Sequence, residues 1–444
     1  MASGLLQKNI VFIDTITTIE KNHPLIADFF SDAKILPVVF SGKLADFLSK
    51  NKIQKVLIRK GAFSLRELNQ IVNQLLKLEM VPFFVKITAK KISVEKIRIQ
   101  DLMIREDFSH KNKSVIHPAI SQKTILITGA AGSVGSELLI QTAQYQPQKI
   151  VALDKDAKRL KLLEKKVATQ FVDFVHADIT DRKQLEKVFK KYHFDYLFHS
   201  AAFKFVPEAE SHPSETVITN IFGTILLAEM AQNHNCEVFV NISTDKAVHP
   251  FGIMGKSKRC AELFLLNRKK SPSPTRFVIT RFGNIIGSRG SVIPVFERQI
   301  QKNVPLTVTH PVMKRFFMSV KQAAEMVLFA TATGNSGDLF VYDMGKPFSV
   351  KRIAEKMISL SGKKITSSSI IYSSVRPGEK LSEQLYDSKA IVFPTKHKKI
   401  IRVEEIHKTP ANFDDLLQVL QRACSKKQDK KVVEILSEIL SKYE

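Results

Sequence analysis

Cysteine is scarce in this 444-residue chain, and the three present, Cys236, Cys260 and Cys424, show neither a C-x-x-C pair nor metal-site spacing. That argues against a disulfide framework and structural zinc, so no metal is expected, and it fits a reducing compartment. No run of about 18 apolar residues occurs, so no membrane-spanning helix is expected. The opening MASGLLQKNIVFIDTI reaches Lys8 and Asp14 too early for a secretory leader. Internal repeats are absent, as are Arg-rich tracts and the interleaved aromatics that stack bases. Acidic residues number 43 against 68 Lys and Arg, for a net charge of +25. Nucleic acid, an anionic membrane surface or an anionic substrate could each answer that excess. Scattered lysines without stacking aromatics argue against nucleic acid and favour peripheral association with anionic lipid. The expected location is the cytoplasm, at the inner face of the membrane.

The length suits two or three domains. Residues 1–90 read as a small Rossmann-like α/β domain with short strands at Ile10–Ile13, Ile35–Phe40, Val56–Ile58 and Val81–Val85. Leu65–Leu78 has helical spacing and opens on Ser64 and Glu67, a capping box. No glycine-rich phosphate loop follows these strands, so this domain is expected to dock or regulate. Residues 91–121 are polar, basic and weakly periodic, and read as a linker. A catalytic domain is expected over 122–400, and two amphipathic helices from residue 410 make 401–444 a C-terminal helical brace.

TILITGAAGSVGSELLIQTA, from Thr124, is an apolar strand, a glycine loop and an amphipathic helix. Gly129, Gly132 and Gly135 permit a tight turn and let the amides around Ser133 and Val134 approach a pyrophosphate. The strand before and the helix after give this pattern its weight. Nineteen residues on, KIVALD ends in Asp154, placed for a ribose 2′-hydroxyl. NAD is therefore preferred to NADP, although Lys155 and Lys158 stand beside it. Asp178 and Ile179 follow the third strand, where adenine would lie. DYLFHSAA ends in small residues, Ala201 among them, that let a cofactor lie against the backbone. Together these features predict an α/β fold: an NAD-binding, doubly wound parallel sheet with a small C-terminal substrate-binding portion.

The chain is organised around NISTDKAVHPFGIMGKSK, from Asn241. Val238–Ile242 reads as a buried strand, with Ser243, Thr244, Asp245 and Lys246 at its carboxyl end, where open α/β sheets bind ligands. Met254 and Lys258, four apart, share one face of the following helix. A strand-end Ser/Thr followed by a helical x-x-x-x-Lys resembles the active site of the short-chain dehydrogenase/reductase superfamily, which has Tyr where Met254 stands. A thioether is neither acid nor base, so Asp245 and Lys246 become the chemical pair. Downstream, Asn284, Arg289 and Ser291 lie in one loop, and Arg315, Arg376, Glu379 and Lys380 in others. Arginine forks clamp phosphate oxygens.

ITGAAGSVGSEL, HSAAFKFVPEAE, ISTDKAV, MGKSKRCAE, RFGNIIGSRGSVIPVF, LTVTHPVMKRFFM, DMGKP and VRPGEKLSE, in that order between about Lys123 and Glu383, resemble the capsule-type nucleotide-sugar 4,6-dehydratases of polysaccharide biosynthesis. The usual relatives begin with membrane helices, none of which is expected in this sequence, and many have His where Phe205 stands. The resemblance implies that Gly129, Gly132, Ser133, Val134, Gly135, Asp154, Asp178, Ile179 and Ala201 hold NAD. It implies that Lys258 meets the nicotinamide ribose and Thr244 the sugar 4-hydroxyl. Asp245 and Lys246 carry the elimination, and Lys204, Asn284, Arg315, Arg376 and Glu379 hold the UDP-sugar. Desolvation and the nearby Lys258 are expected to leave Lys246 partly neutral as the C5 base, with Asp245 protonated as the C6 acid. The Met-for-Tyr branch looks like the one acting on UDP-N-acetylglucosamine with retention at C5. A C5-inverting dehydratase, a UDP-sugar 4-epimerase and a non-catalytic NAD-binding scaffold stay open as rivals. A homo-oligomer is expected.

Overall fold

Apolar runs such as ILIT, IVAL and VFV have no polar face, so a sheet built from them is covered on both sides. The structure, a computed structural model, describes residues 10–14, 24, 26, 35–39, 48, 53, 55–88, 91–103, 110–167, 169–268, 273–405 and 412–441. They fall into two units. One comprises Met1–Arg105, Val295–Pro311 and Ser349–Ser373; the other Glu106–Pro294, Val312–Phe348 and Ser374–Glu444.

The smaller unit has a five-stranded sheet of β1 (Ile10–Asp14), β2 (Ile35–Val39), β3 (Lys55–Arg59), β4 (Pro82–Thr88) and β5 (Lys91–Lys96), in the order β2-β1-β3-β4-β5. All pairings are parallel except β4 with β5. Phe40, expected at the end of the second strand, lies outside the described residues. The capping box forms: Glu67 N donates to Ser64 Oγ at 3.3 Å and Ser64 N to Glu67 Oε2 at 2.8 Å. That helix, Leu65–Lys77, buries Leu68, Ile71, Val72 and Leu75. Leu360, from far along the chain, packs against this same core.

Residues 91–121, expected to be a linker, instead contain β5 and the helix His110–Ile120. Strand β5 lies at the sheet edge, where polar and basic residues are the usual guard, so its composition hid it. The helix buries Ile116 and Ile120, four apart, and Asn112 donates to Glu325 at 2.5 Å.

The larger unit carries β6 (Thr124–Thr128), β7 (Lys149–Asp154), β8 (Val172–His176), β9 (Tyr196–His199), β10 (Val238–Thr244) and β11 (Arg276–Phe282). Its sheet runs β8-β7-β6-β9-β10-β11, then Leu339–Tyr342, Ile400–Glu404 and Ile391–Pro394. The first seven strands are parallel and the last two pairings antiparallel. The chain runs outward from β6 to β8 and then returns to β9 on the other side of β6. That reversal makes a crevice at the carboxyl ends of β6 and β9. The C-terminal helices form at Phe413–Ser425 and Asp429–Ser441, and Leu417, Leu420, Val432 and Leu436 share a core with Leu263 and Phe264. Among the described residues no helix is long and apolar enough to cross a membrane.

Candidate active site

The glycine turn after β6 is built for close approach. Gly129 has φ +65°, and a Cβ there would lie 2.6 Å from Ala201 N at the end of β9. On Gly135 a Cβ would come within 2.2 Å of Gly129 O, so the helix Ser133–Ala143 packs directly on the turn. Its N-cap is Gly132, which has no side chain to cap the amides of Ser133 and Val134. Asp154 closes over the turn: Oδ2 accepts from Ala131 N and Oδ1 from Asp156 N, each at 2.9 Å. Lys155, which stood beside it in sequence, reaches Asp178 at 3.9 Å. The Asp178 carboxylate also accepts from Thr180 N and Oγ1, while Ile179 is buried against Gly223. An uncapped helix start, a turn held by a carboxylate and a backbone-lined floor at Ala201 fit a dinucleotide.

Strand β10 is in register with β11 from Val238–Arg276 to Thr244–Phe282, so Asp245 begins just beyond the sheet edge. A short turn, Asp245–Ala247, follows. Asp245 is fully buried; its Oδ1 accepts from Thr244 Oγ1 at 3.0 Å and Lys246 Nζ at 2.9 Å. Oδ2 has no partner among the described residues, nor has Ser243 Oγ, two residues back on the same strand face. Lys246 Nζ also donates to Asn284 Oδ1 at 3.1 Å. Its neighbours are thus two carboxylates and an amide oxygen, the second carboxylate being Glu383 at 3.8 Å.

Met254 and Lys258 are both buried on the helix Ile253–Asn267. Desolvation pushes the Lys258 ammonium down to about 8, against the pull of Glu262. Met254, Lys246, Lys380 and Glu383 line one cavity with Val206 and Gly252.

The other residues foreseen for substrate are spread more widely. Asn284 reaches Lys246 and so belongs to the charged cluster. Arg315 is buried and donates to the carbonyls of Lys314 at 2.8 Å and Leu381 at 3.3 Å. Arg376 is exposed, and Glu379 is partly buried with Oε2 unpartnered among the described residues. Lys204 donates to Arg289 O at 3.2 Å, its Nζ standing 5.2 Å from the Phe205 ring. Burial, then the Arg289 and Arg159 charges, lower its proton affinity.

Four features were not foreseen. Glu383 joins the cluster, as above. Glu210 Oε1 accepts from Ile253 N at 2.7 Å, capping the helix from outside because Gly252 has no side chain to do so. His199 is locked between two threonines. Thr224 Oγ1 gives its hydrogen to Asn220 O (2.7 Å), so it accepts from His199 Nε2 (2.9 Å), and Nδ1 accepts from Thr128 Oγ1 (2.8 Å). Burial, and then the charge of Lys258, hold this imidazole well below its usual range and keep it neutral. Last, Arg281 is buried and donates Nε to Glu262 Oε1 at 2.9 Å and Nη2 to Glu262 Oε2 at 2.7 Å. It also binds both oxygens of Glu405, and Arg259 donates to both carboxylates at 3.0 and 2.8 Å. This network ties the Lys258 helix to β11. Arg281 ended a predicted strand, but nothing in sequence said where its fork would go.

A doubly wound sheet with a glycine turn after its first strand and an Asp–Lys turn past its fifth defines a Rossmann-type protein of the short-chain dehydrogenase/reductase class. Residues 125–405 match the family described as polysaccharide biosynthesis protein, and the chain belongs to that family. The resemblance read from the sequence is borne out by this match. A capsular polysaccharide biosynthesis protein, CapD, of Staphylococcus aureus is 35% identical over 398 residues, which are 87% of this chain and 66% of that protein. The chain thus spans just under two thirds of that relative's length. A UDP-glucose 4-epimerase of Rickettsia typhi is 34% identical over 273 residues, 60% of this chain and 78% of that one. Among solved structures, Pen from Bacillus thuringiensis is 29% identical with a TM-score of 0.60, covering 64% of this chain and 89% of that chain.

Proposed function

We propose that this protein is an NAD-dependent nucleotide-sugar 4,6-dehydratase of polysaccharide biosynthesis. The substrate we propose is UDP-N-acetylglucosamine, with C5 configuration retained. One observation carries the reading: Asp245 and Lys246 stand side by side past the end of β10, linked at 2.9 Å, with the second Asp245 oxygen unengaged among the described residues.

The residues of the glycine turn, with Asp154 and Lys258, would hold the dinucleotide. When bound, its nicotinamide supplies hydride acceptance from C4 and hydride return to C6. The protons are left to this chain. Met254 cannot take the 4-hydroxyl proton. The free Asp245 oxygen can, directly or through Thr244 Oγ1, which already donates to Asp245 Oδ1 at 3.0 Å. Asp245, now protonated, gives that proton to the C6 hydroxyl as water leaves. Lys246 in its amine form removes the C5 proton, made acidic by the 4-ketone, and its ammonium, whose protons exchange with solvent, returns a proton to the same carbon. Each residue ends as it began, so the proton count closes without a phenol. Return by the same group to the same face gives retention at C5.

The UDP-sugar 4-epimerase reading is favoured by the Rickettsia relative. It needs proton movement only at the 4-hydroxyl and gives Lys246 no task at C5. Proton NMR of the enzyme with UDP-N-acetylglucosamine and NAD separates the two. A C6 methyl doublet supports the dehydratase, whereas a galacto-configured product with C6 still hydroxylated rejects it.

A further inference from the structure

Glu383 closes the VRPGEKLSE stretch, and the proton count above gives it no task. It is nonetheless 5% exposed, with Oε1 3.8 Å from Lys246 Nζ. Its other oxygen is buried and has no partner among the described residues. A buried anion is costly without a cation, and unlike the glutamates of the Arg281 network this one is not saturated.

The loop carrying it is pinned on both sides. Gly378 and Gly252 meet so closely that a Cβ on Gly252 would lie 2.6 Å from Gly378 Cα. Lys380 Nζ donates to Val248 O at 2.8 Å, and Leu381 O accepts from Lys314 N at 2.9 Å. Three segments thus bring oxygens to one ammonium: Asp245 from its own turn, Asn284 from beyond β11, and Glu383 from this loop. Asp245 alone would draw Nζ back along its own turn.

We propose that Glu383 is a positioning residue for Lys246, its carboxylate aiming Nζ into the cavity it shares with Met254 and fixing the pH at which Nζ gives up its proton. The proposal rests on Lys246 being the C5 base. Where the helix offers an inert thioether, the substrate-side loop offers a charge. The charged groups around the pair are Asp245, Lys380 and Arg315, each of which acts on Glu383 together with Lys246. Burial raises the proton affinity of Glu383 against the pull of Lys246, so the carboxylate acts on Lys246 only above its own titration.

The test is Glu383→Gln, which keeps the shape and removes the charge. The rate of acylation of Lys246 by acetic anhydride is followed against pH in the full-length protein by peptide mass spectrometry, with exposed Lys158 as reference. An anion removed from beside an amine lets the amine lose its proton at lower pH. The half-labelling pH of Lys246 is therefore expected to fall by about one unit, with Lys158 unmoved. The ascending limb of kcat moves the same way and KM changes less than kcat. Glu383→Asp, which keeps the charge, returns most of the shift and serves also if Glu383→Gln does not fold. A folded Glu383→Gln protein with an unmoved Lys246 labelling curve overturns the proposal. A labelling shift in a protein that makes no C6 methyl product leaves Glu383 coupled to Lys246 and overturns the dehydratase reading instead.

Discussion

Arg281 and Lys246 are both cations held between two carboxylates, yet their surroundings are completed differently. Every oxygen of Glu262 and Glu405 accepts a hydrogen bond. Around Lys246, Asp245 Oδ2 and Glu383 Oε2 have no partner among the described residues. A buried polar atom left unmade costs roughly 1–3 kcal/mol. The Arg281 network is a closed brace, and the Lys246 cluster is where we propose the reaction takes place.

The comparison breaks most visibly at Lys246. Replacing it with Ala should cut turnover by roughly a hundred- to ten-thousand-fold and leave the folded structure intact, as steady-state rates and circular dichroism would show. Arg281→Met should do the reverse. It leaves Glu262 and Glu405 facing each other with only Arg259 between them, and urea unfolding should record a loss of about 3–5 kcal/mol. Turnover in whatever folds should change less than in the Lys246 variant.

The acid limb sharpens the point. Burial raises the proton affinity of Glu405, but hydrogen bonds and charge from Arg281 overcome this and hold it at about 2, against 4.5 ordinarily. A depressed carboxyl stabilises the fold above its unfolded pKa and ceases to do so as pH falls through its folded one. Stability should thus drop by about 3 kcal/mol between pH 4.5 and 2 through this group, and Glu405→Gln should flatten that limb. Lys258 has the opposite effect. Its depressed pKa, about 8 against 10.5, means that the buried ammonium destabilises the fold below pH 8, a cost that fades as pH rises to 10.5. Lys258→Met should raise stability near pH 7 by up to about 3 kcal/mol, with loss of activity, and the gain should shrink at high pH.

Much of the larger unit was legible because its signals are local. The glycine turn, the strand ending at Asp154 and the Thr244–Lys246 turn each sit in one short stretch whose geometry follows from residue type. Asn284 was legible as polar and positioned after a strand, but its partner Lys246 lies 38 residues away, a distance that only β10–β11 pairing closes. Glu383 and Glu210 left weaker traces. Glu383 is one charge in a polar loop with no periodicity. The trace of Glu210 is an absence, a helix opening on Gly252 with nothing nearby to cap it. Strand β5 was missed because an edge strand guarded by charge has the composition of a loop. The excursions Val295–Pro311 and Ser349–Ser373, which join the smaller unit, carry no mark of this in their own sequence.

The account stands most directly on whether a base in this site reaches C5. A single turnover of UDP-N-acetylglucosamine in deuterium oxide, read by NMR and mass spectrometry, answers that. The account predicts a 6-deoxy-4-keto sugar with solvent deuterium at C5, and no such exchange with Lys246→Ala. A product altered only at C4, with its original hydrogen still on C5, would contradict it.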